Sequence, residues 1–272
     1  MDPDRYLARL GLDPEAAWPP TRETLARLQS AHVTTVPFET LSITGPPHAA
    51  ADGEGVTLSV PALYEKLVER ERGGFCYELN GLFGWLLDEL GFEVDRLAAA
   101  VLGDDGDPRP PANHHALRVT LDEPYLVDVG LGVPKVREPV PIGGRAAPDA
   151  VGVEWRTVGS DRPDADYVAQ AREPSDATSE SAATDDGWSD RYLFTTAPRD
   201  LDHFTATCEY LTAAPESPFT GEPSVNVGTE RGHRRLTTDS LVEVVDGEET
   251  ERPVAPDEWL DVLEREFGVR YG

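Results

Sequence analysis

The sequence predicts an α+β protein in which helices come first, strands second and a mixed lobe last. Three observations predict it. Apolar residues recur at helical spacing as far as Gly91. From Phe92 the runs become short, extended and β-branched. Beyond residue 198 both patterns return together. The boundaries fall at 1–91, 92–198 and 199–272, and 272 residues leave room for two ordinary domains and a small third.

The helical elements have their own start and stop signals. Asp2-Pro3 and Asp13-Pro14 each put a capping residue before a proline at a first helical position. Thr21 opens a segment carrying Leu25 and Leu28, and Ser59 opens one carrying Leu63, Leu67 and Val68. The strongest pattern is Phe75, Leu79, Leu82, Phe83, Leu86, Leu87 and Leu90 on one stripe, stopped by Gly91. Strands are expected at Phe92–Val101, Ala116–Leu121 and Tyr125–Val129, the last two joined by an Asp122-Glu123-Pro124 turn. Val151–Val158, Tyr167–Gln170 and Tyr192–Thr195 are weaker strands. Arg172–Asp190, rich in Ser, Thr, Asp and Ala, reads as a long loop. In the last lobe, Leu201, Phe204, Cys208 and Leu211 form a helical stripe. Leu236–Val245 is extended, and Asp257 caps a final helix through Trp259, Leu260, Leu263 and Phe267.

Composition excludes several classes of function. With 51 acidic and 24 basic residues the formal charge is −27. Such a field repels phosphate backbones and anionic lipid, so neither nucleic acid nor a membrane surface is an expected partner. The acid is spread along the chain, as on a surface adapted to high salt, and a halophilic source is expected. No run approaches the roughly 20 apolar residues that span a bilayer. The acidic start, Met1-Asp2-Pro3-Asp4, is unlike a secretory signal. A cytoplasmic protein is expected. Two cysteines, Cys76 and Cys208, do not make a disulfide framework, although a single bridge between them stays open. With the six histidines they form no metal-ligand spacing, so no metal is expected.

The segment Arg72-Gly73-Gly74-Phe75-Cys76-Tyr77-Glu78-Leu79-Asn80 carries the chemistry. Two glycines relax the backbone just before a helix begins. Cys76 then sits in the first turn, where unpaired N–H groups and the helix dipole favour a thiolate over a thiol. A thiolate nucleophile needs a histidine to take its proton and a third group to orient that histidine. His114 and His115 begin one strand of the predicted hairpin, and Asp128 ends the other. Antiparallel pairing therefore brings a histidine and a carboxylate together across fourteen residues of sequence. Strand alternation lets only one of the two histidines face Cys76.

These residues resemble a known family. Arg72–Asn80 looks like the nucleophile motif of the arylamine N-acetyltransferases. Asp128-Val129-Gly130-Leu131-Gly132 resembles their Asp-Val-Gly-Phe-Gly segment. Val36-Pro37-Phe38-Glu39-Thr40-Leu41 resembles their Ile-Pro-Phe-Glu-Asn-Leu segment, and Pro215-Glu216-Ser217-Pro218-Phe219 is similar to a late Ser-Pro-x-Ser-Phe-like stretch. The likeness covers nearly the whole chain.

The resemblance implies a helical first domain with the nucleophile, a central β-barrel with the histidine and aspartate, and a C-terminal α/β lid. The triad arrangement would be cysteine-protease-like. It also implies ping-pong acetyl transfer from acetyl-CoA, a substrate rather than a permanently bound cofactor, to an arylamine, hydrazine or related amine. Cys76 would be the nucleophile and Asp128 the orienting carboxylate. His114 fits the family's His-x-x-Leu-x-Val pattern, while a shorter hairpin keeps His115 open. Phe38, Phe75 and Gly130 are candidates for substrate contact, and Glu39 for an ion pair with Arg72. Thr40 and Leu131 depart from the family's asparagine and phenylalanine and bear on acceptor preference. No glycine-rich phosphate loop is present. The densest basic cluster, Arg231, Arg234 and Arg235 with His233, is the candidate CoA contact, and Lys135 with Arg137 is a second.

Three rivals share these residues. They are a cysteine hydrolase or transglutaminase-like enzyme, an amide synthase of the same family with a larger acyl donor, and a non-catalytic binding protein. The sequence leaves the oligomeric state open.

Overall fold

A computed structural model of the chain describes residues 1–49, 52–103, 106, 110–174 and 187–271. Helices open the chain. Asp2 caps α1 (Pro3–Arg9) by accepting from the Asp4 N–H at 3.0 Å. Thr21 caps α2 (Arg22–Thr35) by accepting from the Thr24 N–H. Asp13-Pro14 opens only a turn: its carboxylate accepts from the Glu15 N–H and its carbonyl from the Ala16 N–H, and the chain then straightens. A two-residue strand β1 (Phe38–Glu39) and a short helix α3 (Leu41–Thr44) follow. The next helix, α4 (Val60–Tyr64), widens into one π-helical turn over Glu65–Glu69. Ser59 stands at its cap position but makes no side-chain cap bond.

The predicted stripe becomes α5 (Cys76–Glu89), and Gly91 leaves it at φ +85°, a conformation open to glycine without strain. Every residue from Cys76 to Leu87 is buried, so α5 is the central rod of the molecule.

Next come β2 (Glu93–Val101), β3 (His114–Thr120), β4 (Pro124–Val127), β5 (Val140–Pro141), β6 (Glu154–Gly159), β7 (Tyr167–Arg172) and β8 (Ser189–Arg199). They form one antiparallel sheet in the order β5-β4-β3-β2-β8-β7-β6. Its outer strands bend toward each other. Thr157 donates its hydroxyl to the Pro141 carbonyl at 3.0 Å and its N–H to that of Gly144 at 2.9 Å, so the sheet is a nearly closed barrel. The predicted Arg172–Asp190 loop is shorter at both ends, because Arg172 and Ser189 are already in strands. Its middle, 175–186, lies outside the described residues.

Alternation along β3 and β4 gives each strand two surroundings. Leu117, Val119, Tyr125 and Val127 pack into the core around α5, whereas Ala116 and Leu126 point into the barrel core with Trp155, Tyr192 and Phe194.

A 3₁₀ turn (Leu201–Phe204) leads into α6 (Thr205–Ala213), as the stripe predicted. The rest is a second sheet of β9 (Val225–Thr229), β10 (Gly232–Leu236), β11 (Ser240–Val245) and β12 (Glu248–Pro253), covered by α7 (Trp259–Phe267). Its order is β1-β9-β10-β11-β12, so the N-terminal β1 completes it. The extended run Leu236–Val245 is broken by a turn, and Leu236 pairs back with Leu241. Glu258, not Asp257, occupies the cap position of α7, without a side-chain cap bond. Among the described residues no helix is long and apolar enough to cross a membrane.

Candidate active site

Cys76 occupies the first turn of α5, 3% exposed, in the wall of a cavity of about 390 Å³. The glycines before it have a different reason from the one expected. Neither has a positive φ. Instead, β1 runs beside them: the Glu39 N–H donates to the Gly74 carbonyl at 2.9 Å, and the Gly74 N–H donates to the Pro37 carbonyl at 3.2 Å. A Cβ on Gly73 would lie 2.3 Å from the Pro37 carbonyl oxygen, and one on Gly74 would lie 2.9 Å from the Glu78 side chain. Gly73 is glycine because the Pro37 backbone touches it, and Gly74 because the Glu78 side chain folds against it.

The turn is held from below by buried charge. Glu78 accepts from the Phe75 N–H at 3.1 Å and takes both hydrogen bonds of Lys66, at 2.8 and 2.9 Å. Lys66 also lies 3.5 Å from Glu39, and Glu39 lies 3.5 Å from Arg72, which gives the predicted Glu39–Arg72 pair. Burial lowers the Lys66 pKa, but the charges of Glu39 and Glu78 outweigh it and the net shift is upward. Lys66 is therefore held protonated. The Arg72 guanidinium also lies over the Tyr271 ring at 4.1 Å, tying the chain's last residues to the nucleophile's turn.

Across the cavity, β3 presents His114, and the segment after β4 presents Asp128. His114 Nε2 and Asp128 Oδ2 are 2.7 Å apart, and both side chains are buried. The second carboxylate oxygen accepts from Asn80 Nδ2 and from the Gly130 N–H, each at 2.9 Å. Burial would lower the His114 pKa. The Asp128 charge and hydrogen bond, helped by a hydrogen bond to Cys76, outweigh it and push it up to about 10. His114, with the hydrogen bonds from Asn80 and the Gly130 N–H, holds Asp128 below the usual carboxylate range despite its burial. Because Nε2 faces the carboxylate, Nδ1 is the nitrogen left for Cys76.

His115 takes the other face. Its ring stacks on Phe204 with centroids 4.6 Å apart, and burial, with the charges of Arg96 and His114, pushes its pKa down to about 3. The structure thus brings together Cys76, His114 and Asp128 and sets His115 aside.

Of the residues expected to contact substrate, Phe38 and Gly130 line the cavity, with Leu131, Leu211 and Phe219. Phe75 does not. It is wholly buried, edge-on to Tyr77 and Phe219, because its place just before α5 turns it into the core behind the cysteine. The predicted basic cluster also separates. Arg231 lines a second groove of about 350 Å³ with Lys135, Arg137 and His233. Alternation along β10 sends Arg234 elsewhere, to Glu243 at 2.7 Å and Glu266 at 3.5 Å, and Arg235 is exposed outside the groove. Lys135 is buried and donates to the Leu131 carbonyl and to Asn226; burial pushes its pKa down to about 7. Val133 belongs to both the groove and the cavity. Cys76 and Cys208 are both free thiols.

Two residues of the site carried no assigned role in the sequence. Asn80 joins the α5 face to the Asp128 segment, also donating to the His115 carbonyl at 2.5 Å and accepting from the Val129 N–H at 2.9 Å. Its position four residues after Cys76, one helical turn on, was the available signal. Tyr192 packs its ring 5.1 Å from that of His114, and burial beside the Asp128 charge holds its phenol well above its usual pKa.

A family model described as N-acetyltransferase matches residues 21–272. An arylamine N-acetyltransferase of Mycolicibacterium smegmatis is 34% identical over 100% of this chain and 93% of its own length. The chain belongs to the arylamine N-acetyltransferase family.

A pineal-gland arylamine N-acetyltransferase of Gallus gallus is 33% identical over 90% of this chain and 83% of its own. Among solved structures, the Bacillus cereus arylamine N-acetyltransferase described as having a Cys-His-Glu triad superposes with a TM-score of 0.84. It is 25% identical and covers 100% of both chains. Where that relative is described with a glutamate, this family member places Asp128 against His114. The Mycobacterium marinum enzyme, solved in complex with CoA, superposes with a TM-score of 0.80 at 29% identity, over 98% of this chain and 93% of its own. As a member of the family, the chain is an acyltransferase enzyme that moves acetyl groups to arylamines.

Proposed function

We propose that the chain carries out this transfer by a ping-pong route through a Cys76 thioester, with acetyl-CoA as donor and an arylamine, hydrazine or related amine as acceptor. The observation that carries the reading is the 2.7 Å contact of His114 with Asp128, which leaves Nδ1 facing Cys76 in one cavity wall.

In this reading His114 Nδ1 takes the Cys76 proton, and Asp128 steadies the imidazolium. The sulfur attacks the thioester carbonyl of acetyl-CoA. First-turn N–H groups of α5 around Cys76 receive the oxyanion. The carbon–sulfur bond to CoA breaks, and His114 returns the proton to the departing CoA thiolate. The acceptor amine then attacks the acetyl-enzyme, His114 takes the amine proton, and collapse gives the amide and free Cys76. Phe38 and Gly130 bound the acceptor. The groove of Lys135, Arg137, Arg231 and His233 receives the CoA phosphates, because it gathers basic side chains on a strongly acidic chain and opens beside the cavity at Val133. Residues 1–91 act as the nucleophile-bearing domain, 92–198 as the barrel that carries His114 and Asp128, and 199–272 as the lid.

Mass spectrometry after brief exposure to acetyl-CoA in high salt, with Cys76→Ala alongside, tests the reading. One acetyl group on wild type only, discharged by an arylamine, is the expected result. Acetyl-CoA consumed without any amine would establish a hydrolase instead.

A further inference from the structure

The carboxylate that caps the nucleophile's turn stands where a negative charge does harm. Glu78 accepts from the Phe75 N–H, one residue before Cys76, and the same helix end has to hold a sulfur that becomes anionic. Two negative charges that close together in a buried setting oppose each other. Lys66, on the π-helical turn that follows α4, meets this charge directly. Its ammonium takes both Glu78 oxygens, at 2.8 and 2.9 Å, with 9% of its side chain exposed. Around it three carboxylates, Glu39, Glu54 and Glu78, face three cations, Lys66, Arg70 and Arg72. These partners are not interchangeable. Arg70 pairs with Glu54, and Arg72 lies 3.1 Å from Glu54 and 3.5 Å from Glu39. Lys66 is the one cation bonded to Glu78 among the described residues. Burial raises the Glu78 pKa, the Lys66 charge opposes this and the Glu39 charge adds to it. A polar recess of about 150 Å³, lined by Glu54, Arg70, Lys66 and Glu78, reaches the pair and lets its protons exchange with solvent.

We propose that Lys66 is a positioning residue for the reaction: it neutralises the Glu78 cap, so that a carboxylate holds the turn without its charge opposing the Cys76 thiolate. The proposal rests on the reading of Cys76 as the nucleophile and is independent of which acyl donor is used.

The test compares wild type, Lys66→Met, Glu78→Gln and the double variant Lys66→Met/Glu78→Gln in constant high salt, which screens a buried pair little. Iodoacetamide alkylation across the neutral pH range, located at Cys76 by peptide mapping, reads the sulfur without donor or acceptor. In Lys66→Met, Glu78 is neutral on the acid side of its titration and anionic above it. The ratio of its alkylation rate to that of wild type is therefore expected to start near unity and to fall by about tenfold as pH rises. In the double variant a glutamine oxygen still accepts from the Phe75 N–H but carries no charge, and the wild-type rate is expected to return. A loss that does not change with pH, or one that persists in the double variant, overturns the proposal and makes Lys66 a packing residue. If Lys66→Met does not fold, Glu78→Gln decides. With Lys66 then in excess, alkylation faster than wild type supports the proposal, and a rate at or below wild type overturns it. Wild type that takes no acetyl group from acetyl-CoA fails the transferase reading alone, because the alkylation rates still decide the role of Lys66.

Discussion

Replacing Asp128 with asparagine exchanges one atom and removes one charge at the centre of the site. The adjacent histidines of β3 supply the comparison that sets its scale. Both are buried. His115, with no carboxylate bonded to its ring, is pushed down to about 3, mainly by burial. His114 experiences the same burial, yet the Asp128 charge and hydrogen bond carry it up to about 10. In Asp128→Asn the retained Oδ1 can still accept from Asn80 and from the Gly130 N–H, which turns the new NH₂ toward His114 Nε2. Nε2 must then accept, so the ring proton moves to Nδ1, the nitrogen that has to receive the Cys76 proton. The ring loses both its charge and its useful tautomer. A fall of about 10³- to 10⁴-fold in the rate of acetyl-enzyme formation is the scale for a triad locked in the wrong tautomer. Rapid-quench mass spectrometry with acetyl-CoA measures that rate, and circular dichroism checks that the fold persists. A folded variant acetylated within about tenfold of wild type would refute the claim that Asp128 sets the state of His114.

Three further outcomes follow from the same contacts. A Cβ at Gly130 would lie 2.7 Å from the Cys76 Cα and 2.6 Å from Asn80 Nδ2. Gly130→Ala is therefore expected to destabilise by about 1–3 kcal/mol and to slow acetylation; a chemical-denaturation midpoint equal to wild type would contradict this. His115 and His32 are each pushed down to about 3, mainly by burial, so between that value and their ordinary 6.5 the unfolded chain binds more protons and stability drops as pH falls. His114 acts oppositely, its contribution complete below 6.5 and lost as pH rises through about 10. Above 6.5 that loss is offset by Lys135, pushed down from its ordinary 10.5 to about 7 by burial, so melting temperatures in constant salt should fall chiefly on the acid side of pH 6.5, and His115→Phe should flatten that limb; an unchanged slope there would remove His115 from the account. Finally, a formal charge of −27 predicts a melting temperature that climbs with salt between about 0.1 and 2 M, as the screening length contracts. A transition as sharp and as high in dilute buffer would show that the acidic surface is not a salt adaptation.

What the sequence made legible was whatever local periodicity determines. The α5 stripe could be read because the helix lies inside the molecule, so its pattern answers to one surrounding core. The meeting of a β3 histidine with Asp128 could be read because a tight hairpin converts sequence distance into register, while alternation showed only that one of His114 and His115 could face Cys76, and the contact of His114 with Asp128 came from the structure. Features that depend on a distant partner were not legible. β12 is exposed at all six positions and reads Glu-Glu-Thr-Glu-Arg-Pro, a charged sheet edge with no apolar alternation to reveal it. β1 has two residues and exists because β9 is there to receive it. Asp13-Pro14 carries a full helix-start signal, yet the chain after it makes only a turn. Arg191 fell between a composition that reads as loop and a short apolar run that reads as strand, although the observed β8 begins at Ser189. The glycines before Cys76 sharpen the point. In one dimension a double glycine means a pliant backbone, and here it records the passage of Pro37 and Glu39 within touching distance. That contact places β1, and Phe38 with it, on the rim of the cavity that holds Cys76. The glycines therefore fix where the Phe38 wall of the cavity stands relative to the sulfur, a constraint that a side chain at Gly73 would relax.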